Sequence, residues 1–188
     1  MKRLQFMTRL LRWGGLALYY GVVQYLPENK VPIIGIISKW LRILSCHLVF
    51  DKCGKHISIG RKAYWGFNKI EIGDNSGIGP NFKMFRSGLY IGHDVMMGRD
   101  VMIIGGTHKF DKTDIPMRQQ GSNPKTTLFV GDDVWIGSRV TILSKCRRIG
   151  NGAIIGACSV VTKEVPDFAI VAGNPAKIIK YRKCKENI

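Results

Sequence analysis

Acidic residues are scarce in this chain. Asp and Glu number 13 against 29 Lys and Arg, for a formal charge of +16 over 188 residues. A charge of that size speaks to partners, not to fold. Nucleic acid, an anionic membrane surface and a phosphorylated cofactor would all accept it. Long apolar runs are also missing. Gly14 to Leu26 is mostly apolar but well short of the ~20 residues that span a bilayer. Gln24, Tyr25, Leu26 and Pro27 do not make a small-residue cleavage site, so the segment reads as retained and non-spanning. Paired cysteines are lacking too. The five cysteines are odd in number and show no C-x-x-C spacing, which argues against a disulfide framework or zinc knuckle and for a reducing compartment. The histidines have no paired ligand spacing, so no metal is expected. No base-stacking or groove-reading motif accompanies the charge, which sets nucleic acid aside.

Residues 1–56 read as a basic amphipathic helical region. Leu4, Met7, Leu10 and Leu11 recur at helical spacing with basic residues between them, until Pro27 and Pro32 break the pattern. A second helix is expected over about 36–50, carrying Lys39 and Arg42. Two uses fit these helices. Their apolar faces pack on the main domain, or they form a basic surface resting on an anionic membrane.

From residue 57 the period changes. Aliphatic–glycine pairs recur six apart: Ile72-Gly73 and Ile78-Gly79, Ile91-Gly92 and Met97-Gly98, Val130-Gly131 and Ile136-Gly137, Ile149-Gly150 and Ile155-Gly156. Six is neither helical nor simple strand alternation. It fits a solenoid of three-faced coils over 57–166, one hexapeptide per face, with aliphatic residues stacked inside. Glycine is expected at the tight corners, where a Cβ and a fixed φ would both be costly. The period breaks between Ile78 and Ile91, between Ile142 and Ile149, and in a long loop over 104–129. A loop of that length in a compact domain is usually functional. Residues 167–188 form a C-terminal extension with Lys177, Lys180, Arg182, Lys183 and Lys185.

The hexapeptides, the loop run Thr107-His108-Lys109-Phe110-Asp111, the run Gly131 to Ser138, and Ala172-Gly173-Asn174-Pro175-Ala176-Lys177 together resemble the hexapeptide-repeat acyltransferases. The likeness is nearest to bacterial sugar O-acetyltransferases of surface-polysaccharide synthesis and covers about 57–182. It implies a mainly-β fold, a left-handed parallel β-helix with N-terminal helices and a C-terminal extension. It also implies acetyl-CoA as acyl donor and a homotrimer with the donor in a groove between neighbours; the enzyme is expected in the cytoplasm, where the basic N-terminal helices would hold it at the inner face of the membrane.

The resemblance assigns the catalytic role to His108. An alcohol is a poor nucleophile at neutral pH, and a positioned imidazole base removes its proton as it attacks a thioester. Asp111, three residues on, is a candidate to orient the ring. Asn81 is the nearest counterpart of a family asparagine beside the acceptor hydroxyl, although the irregular spacing after Ile78 shifts its register. On the donor side, Ser138 and Ala157 match residues lining the pantetheine groove, Thr162 and Lys163 the next pair, and Lys177 and Lys180 the phosphate-binding bases; Trp135 would wall the groove. His93 is expected as a corner residue, and Cys146 and Cys158 as packing. The alternatives are an antibiotic acetyltransferase with the same chemistry, and a non-catalytic trimeric scaffold.

Overall fold

The computed structural model describes residues 2–28 and 31–183, with side chains from Arg9 onward. The expected apolar positions Leu4 and Met7, and Lys185 in the basic tail, therefore lie outside the described side chains. Two helices, α1 (Lys2–Gly21) and α2 (Ile34–Val49), precede a stack of parallel strands. None of the helices among the described residues is long and apolar enough to cross a membrane.

The strands form three faces. Face A holds Lys52–Cys53, Ile70–Ile72, Ser87–Ile91, Thr126–Val130 and Arg148–Ile149. Face B holds Ser58–Ile59 and Gly77–Ile78, then Met96–Met97, Trp135–Ile136 and Ile154–Ile155. The Gly77 N–H, donating to the Val95 carbonyl at 2.9 Å, joins its two parts. Face C holds Lys83–Phe85, Met102–Ile104, Thr141–Leu143 and Val160–Val161. The chain visits A, B and C in turn, and each strand pairs in parallel with its equivalent one coil on. Pairing starts at Lys52–Cys53, where Cys53 faces Ile72 and takes the aliphatic position of the repeat.

The repeated aliphatics fill the interior. Ile59, Ile72, Ile78, Ile91, Ile103, Val130, Ile136, Ile142, Ile149 and Ile155 are all buried. Alternation then sends their neighbours outward, as strand geometry requires. The last coil is covered by Ala169–Gly173 and the antiparallel strand Ala176–Tyr181. Arg182 fastens this cover, donating to Asp133 Oδ2 at 2.8 Å and to the Gly152 carbonyl at 3.0 Å.

Of the two reasons expected for the corner glycines, the missing Cβ applies at Gly98 and Gly137 and the freedom in φ does not. Gly98 and Gly137 have no positive φ; that conformation falls two residues later, at Asp100 and Arg139. What the glycines provide is space. A Cβ on Gly98 would lie 2.6 Å from the Ser138 nitrogen of the next coil. The A–B corners are laddered by side chains. The Asp74 N–H donates to His93 Nδ1 at 3.0 Å, the His93 N–H to Asp132 Oδ1 at 2.7 Å, and the Asp132 N–H to Asn151 Oδ1 at 2.9 Å. His93 is thus a corner acceptor standing in for a carboxylate.

Candidate active site

Faces A to B and B to C are always joined at a spacing of six, as in Ile72 to Ile78 to Met84, or Val130 to Ile136 to Ile142. The C–A corner never keeps that spacing. Met84 to Ile91 and Ile142 to Ile149 are seven apart, and Ile103 to Val130 carries the long loop. All the breaks seen in the sequence therefore stack on one edge of the solenoid.

The loop on that edge is an ordered hairpin. At its base the Thr126 N–H donates to the Gly105 carbonyl at 2.8 Å, and the Asn123 N–H to the Thr107 carbonyl at 2.9 Å. The Lys109 N–H donates to the Gly121 carbonyl at 3.1 Å, and His108 and Ser122 form an antiparallel bridge. Asn123 Nδ2 also donates to Thr107 Oγ1 at 2.9 Å, and Arg86 donates to the Asn123 carbonyl at 2.9 Å. Gln120 closes the tip through the Lys112 and Ile115 carbonyls at 2.7 and 3.0 Å. Gly105 is needed at the base, because a Cβ there would lie 2.5 Å from Ser87 Cβ.

His108 is exposed on this hairpin, with Nδ1 3.4 Å from Ser122 Oγ. An Nδ1–H toward that hydroxyl leaves the Nε2 lone pair free to take a proton. Asp111, the orienting candidate, is not brought against His108 by a bond. Among the described residues no ion pair or hydrogen bond joins it to His108; it lines a hollow with Lys109, Lys112 and Gln120 near the tip. In a hairpin, residues three apart on one arm do not meet, whereas cross-arm partners do. Beside the hairpin base lies a cavity of about 460 Å³ lined by Thr107, Asn123, Ser144, Lys145 and Arg147. Ser122, Asn123 and the basic pair escaped the sequence reading. The extra residue between Ile142 and Ile149 was the signal that marked the pair's position.

The other site residues separate into two groups. Ser138 and Ala157 stack at the B–C corner, where a Cβ on Gly137 would lie 2.6 Å from Ala157 N. Next to that column, Ala172 lies over Gly156 and Lys177 is paired opposite Ala172. Asn81 lies on the same corner, not beside His108. Its Nδ2 donates to Asp100 Oδ1 at 2.9 Å, and it lines a hollow of about 320 Å³ with Lys62, Lys83 and Met102. Trp135 is exposed on face B just before the corner, and Lys180 is exposed opposite Ile170. Thr162 and Lys163 follow Val160–Val161 at the C–A corner, on the His108 edge. The strand Met102–Ile104 crosses face C between the two corners, roughly 10 Å at strand rise. Within one chain, His108 and the Ser138–Ala157 column thus stand on opposite edges of face C.

The cysteines differ from one another. Cys46 and Cys146 are buried, whereas Cys158 is exposed at a corner position with φ of 61°. The expectation of packing holds for Cys146 and not for Cys158, because the left-handed corner residue turns its side chain outward.

No family model matches the chain. It is similar to galactoside O-acetyltransferase of Lactococcus lactis subsp. lactis (strain IL1403), 29% identical over 69% of this chain and 62% of that protein. It is also similar to galactoside O-acetyltransferase of Escherichia coli (strain K12), 30% identical over 70% of this chain and 57% of that protein. The chain thus spans about three-fifths of the length of these relatives. Among solved structures, a hexapeptide-repeat acetyltransferase from Vibrio cholerae superposes with a TM-score of 0.75 at 26% identity, over 95% of this chain and 94% of that one. That acetyltransferase has also been solved with acetyl coenzyme A. The six-residue coils, the hairpin carrying His108 and these likenesses agree: the chain belongs to the hexapeptide-repeat acetyltransferases, with sugar O-acetyltransferases among its relatives.

Proposed function

We propose that this chain is an acetyl-CoA-dependent O-acetyltransferase acting on a sugar hydroxyl, in the building of surface polysaccharide. The observation that carries the reading is His108 itself: a single exposed imidazole on a pinned hairpin, with Nδ1 beside Ser122 Oγ at 3.4 Å. In the proposed step, the acceptor oxygen bonds to the thioester carbonyl carbon as its proton passes to His108 Nε2. The tetrahedral adduct then collapses, the carbon–sulfur bond breaks, and the imidazolium returns the proton to the departing sulfur. The products are an acetyl ester and free CoA thiol. General-base help of this kind contributes about 10²–10⁴-fold.

On this reading the donor runs along Ser138, Ala157, Thr162 and Lys163, with Trp135 as a wall and Lys177 and Lys180 toward the phosphates. Asn81 and Asp111 keep at most an outer role toward the acceptor. The coils wind left-handed, and the chain divides into an N-terminal region 1–56, helical up to Val49 and ending in the first face-A strand, the coils 57–166 and the extension 167–188. The protein works as a homotrimer. Two observations support that assembly. His108 and the Ser138–Ala157 column stand on opposite edges of one chain, so a neighbour's edge would complete the site. The outer surface of face C, with Phe85, Met102, Ile104, Leu143 and Val160, is apolar enough to pack on a second copy. The enzyme is cytoplasmic and peripheral at the inner face of the membrane.

The test is acetyl transfer from acetyl-CoA to a panel of galactosides, glucosides and amino-sugar glycans, read as thiol release and as acetylated product by mass. One acceptor that raises thiol release well above background hydrolysis supports the reading. Acetyl-CoA binding that fails, together with no turnover on any acceptor, returns the weight to a non-catalytic scaffold.

A further inference from the structure

Helix α2 is packed inside out. Its fully buried positions are Gly35, Ser38, Arg42, Ser45, Cys46 and Val49, mostly small or polar, with Leu41 and Ile43 partly buried against the core beside them. Its open side is the apolar stripe Ile36, Ile37, Trp40, Leu44 and Leu48, at the spacing of one helical face, with exposed Ile33 just ahead of the helix. Trp40 is 66% exposed and Ile33 76%, whereas Arg42 is 0% exposed. A water-soluble helix does the reverse, burying its stripe and turning its charge outward.

The orientation is built in. The Arg42 guanidinium donates to the Leu26 and Pro27 carbonyls at 2.6 and 2.7 Å, which ties the helix to the connecting segment. Ser38 and Ser45 satisfy their hydroxyls within the helix, on the Ile34 and Leu41 carbonyls, so the polar side is comfortable when buried. Gly15 of α1 lets α2 approach closely; a Cβ there would lie 2.7 Å from Leu48 Cβ. The pair is then anchored to the first coil, because Tyr20 Oη accepts the Trp65 and Gly66 N–H groups at 3.0 and 3.1 Å. Rolling α2 over would break the Arg42 bonds. α1 extends the open surface with Leu10, Leu11 and Leu18.

We infer that this surface docks on an anionic lipid bilayer, with the α2 stripe in the acyl–headgroup boundary and Trp40 at the interface. The inference deepens the peripheral location in the functional reading and rests on that reading only for its purpose, which is to hold the site near a lipid-linked acceptor. Charge selects the occupant. The stripe is flanked by exposed Arg9 and Lys39, and residues 1–62 contain only Glu28 and Asp51 as acids. A cavity of about 540 Å³ between the helices is lined by Arg9, Arg12, His47 and Asp51 beside Leu11 and Leu48. Asp51 is engaged by Arg12 at 3.6 Å, which leaves Arg9 to meet a lipid phosphate. A second copy laid on the same surface would bring Arg9 and Lys39 against their own kind, whereas an anionic headgroup layer neutralises them. The stripe supplies apolar burial and the rim supplies attraction, the two terms that hold an interfacial helix.

The test is cosedimentation of the full chain with phosphatidylglycerol–phosphatidylcholine vesicles and with phosphatidylcholine alone, at low and high salt. The double variant Ile37→Glu with Trp40→Glu, and the milder Leu44→Gln, change only exposed positions. Wild type should pellet with the anionic vesicles, weaken in salt without being released fully, and lose about tenfold or more of its partitioning in the double variant. Leu44→Gln should fall between. Acetyl-CoA turnover on a soluble acceptor should be unchanged in both, which keeps this test separate from that of His108. Equal recovery in the supernatant with and without vesicles overturns the inference. So does undiminished binding by the double variant, or a change in oligomer size in that variant, which would assign the stripe to a second copy.

Discussion

Replacing Gly137 with alanine separates two explanations for the corner glycines. A methyl at this position would lie 2.6 Å from Ala157 N, 2.8 Å from Ile155 O and 2.9 Å from Ala157 Cα. All three are backbone atoms, held by the Gly137 N–H bond to the Ile155 carbonyl at 2.8 Å and by the Trp135–Ile154 and Ile136–Ile155 register. The coils must therefore part by several tenths of an ångström along a whole ladder. Overpacking of this kind costs about 1–3 kcal/mol. For a chain of this size that is a Tm lower by about 2–12 °C. Arg139→Gly should behave oppositely. Arg139 has φ of 59°, a conformation that costs a residue with a Cβ roughly 1–2 kcal/mol. Glycine removes that strain and adds unfolded-state entropy of similar size, so Tm should hold or rise slightly. Gly14→Ala is the control, since a Cβ there meets nothing within 4 Å. The assay is thermal unfolding followed by circular dichroism. A Gly137→Ala protein at or above wild-type Tm would refute the argument that space, not φ, selects glycine here.

Other expectations follow from the same geometry. His93→Ala removes an acceptor from the A–B ladder and should cost about 1 kcal/mol in urea unfolding, whereas His93→Asp restores an acceptor and should lie within a few tenths of wild type. Iodoacetamide should label exposed Cys158 in the native protein and reach Cys46 and Cys146 only after unfolding, as mass mapping would show. Burial pushes the Cys146 thiol from 9.0 up to about 12 and that of Cys53 up to about 11. Their contribution to stability is thus fully present below about pH 9 and is lost as pH rises toward those values, because the unfolded thiols ionise first. A urea midpoint that climbs over that range would contradict the assignment.

The solenoid was legible because its signal is a period. Each aliphatic at a six-residue step had one place to go, and the buried series from Ile59 to Ile155 occupies it. The position of the hairpin was legible for the same reason, as the longest break in that period. Contacts across breaks were not. The neighbour of His108 is Ser122, fourteen residues on, and only the hairpin's own pairing brings the two together. Asp111 is nearer in sequence, yet among the described residues no hydrogen bond or ion pair joins it to His108, since adjacency along one arm is not adjacency across it. The glycine pattern was visible, but a repeat of glycine does not say whether φ or close approach demands it. Helix α2 showed a further limit. Periodicity identified an apolar stripe but left open whether it turns inward or outward. The sense is set by Arg42 and the carbonyls of Leu26 and Pro27, a tertiary match that no helical wheel contains.

The central claim is that His108 is the base of an acetyl transfer, and one comparison tests it most directly. Wild type and His108→Ala would be assayed with acetyl-CoA and a competent sugar acceptor, alongside calorimetric titration of CoA. In the variant kcat should be lower by about 10²–10⁴-fold with CoA affinity preserved, since the residue acts on the acceptor proton and not on the donor's phosphates. A variant that keeps wild-type kcat would contradict the claim, and would return His108 to the status of an exposed loop residue.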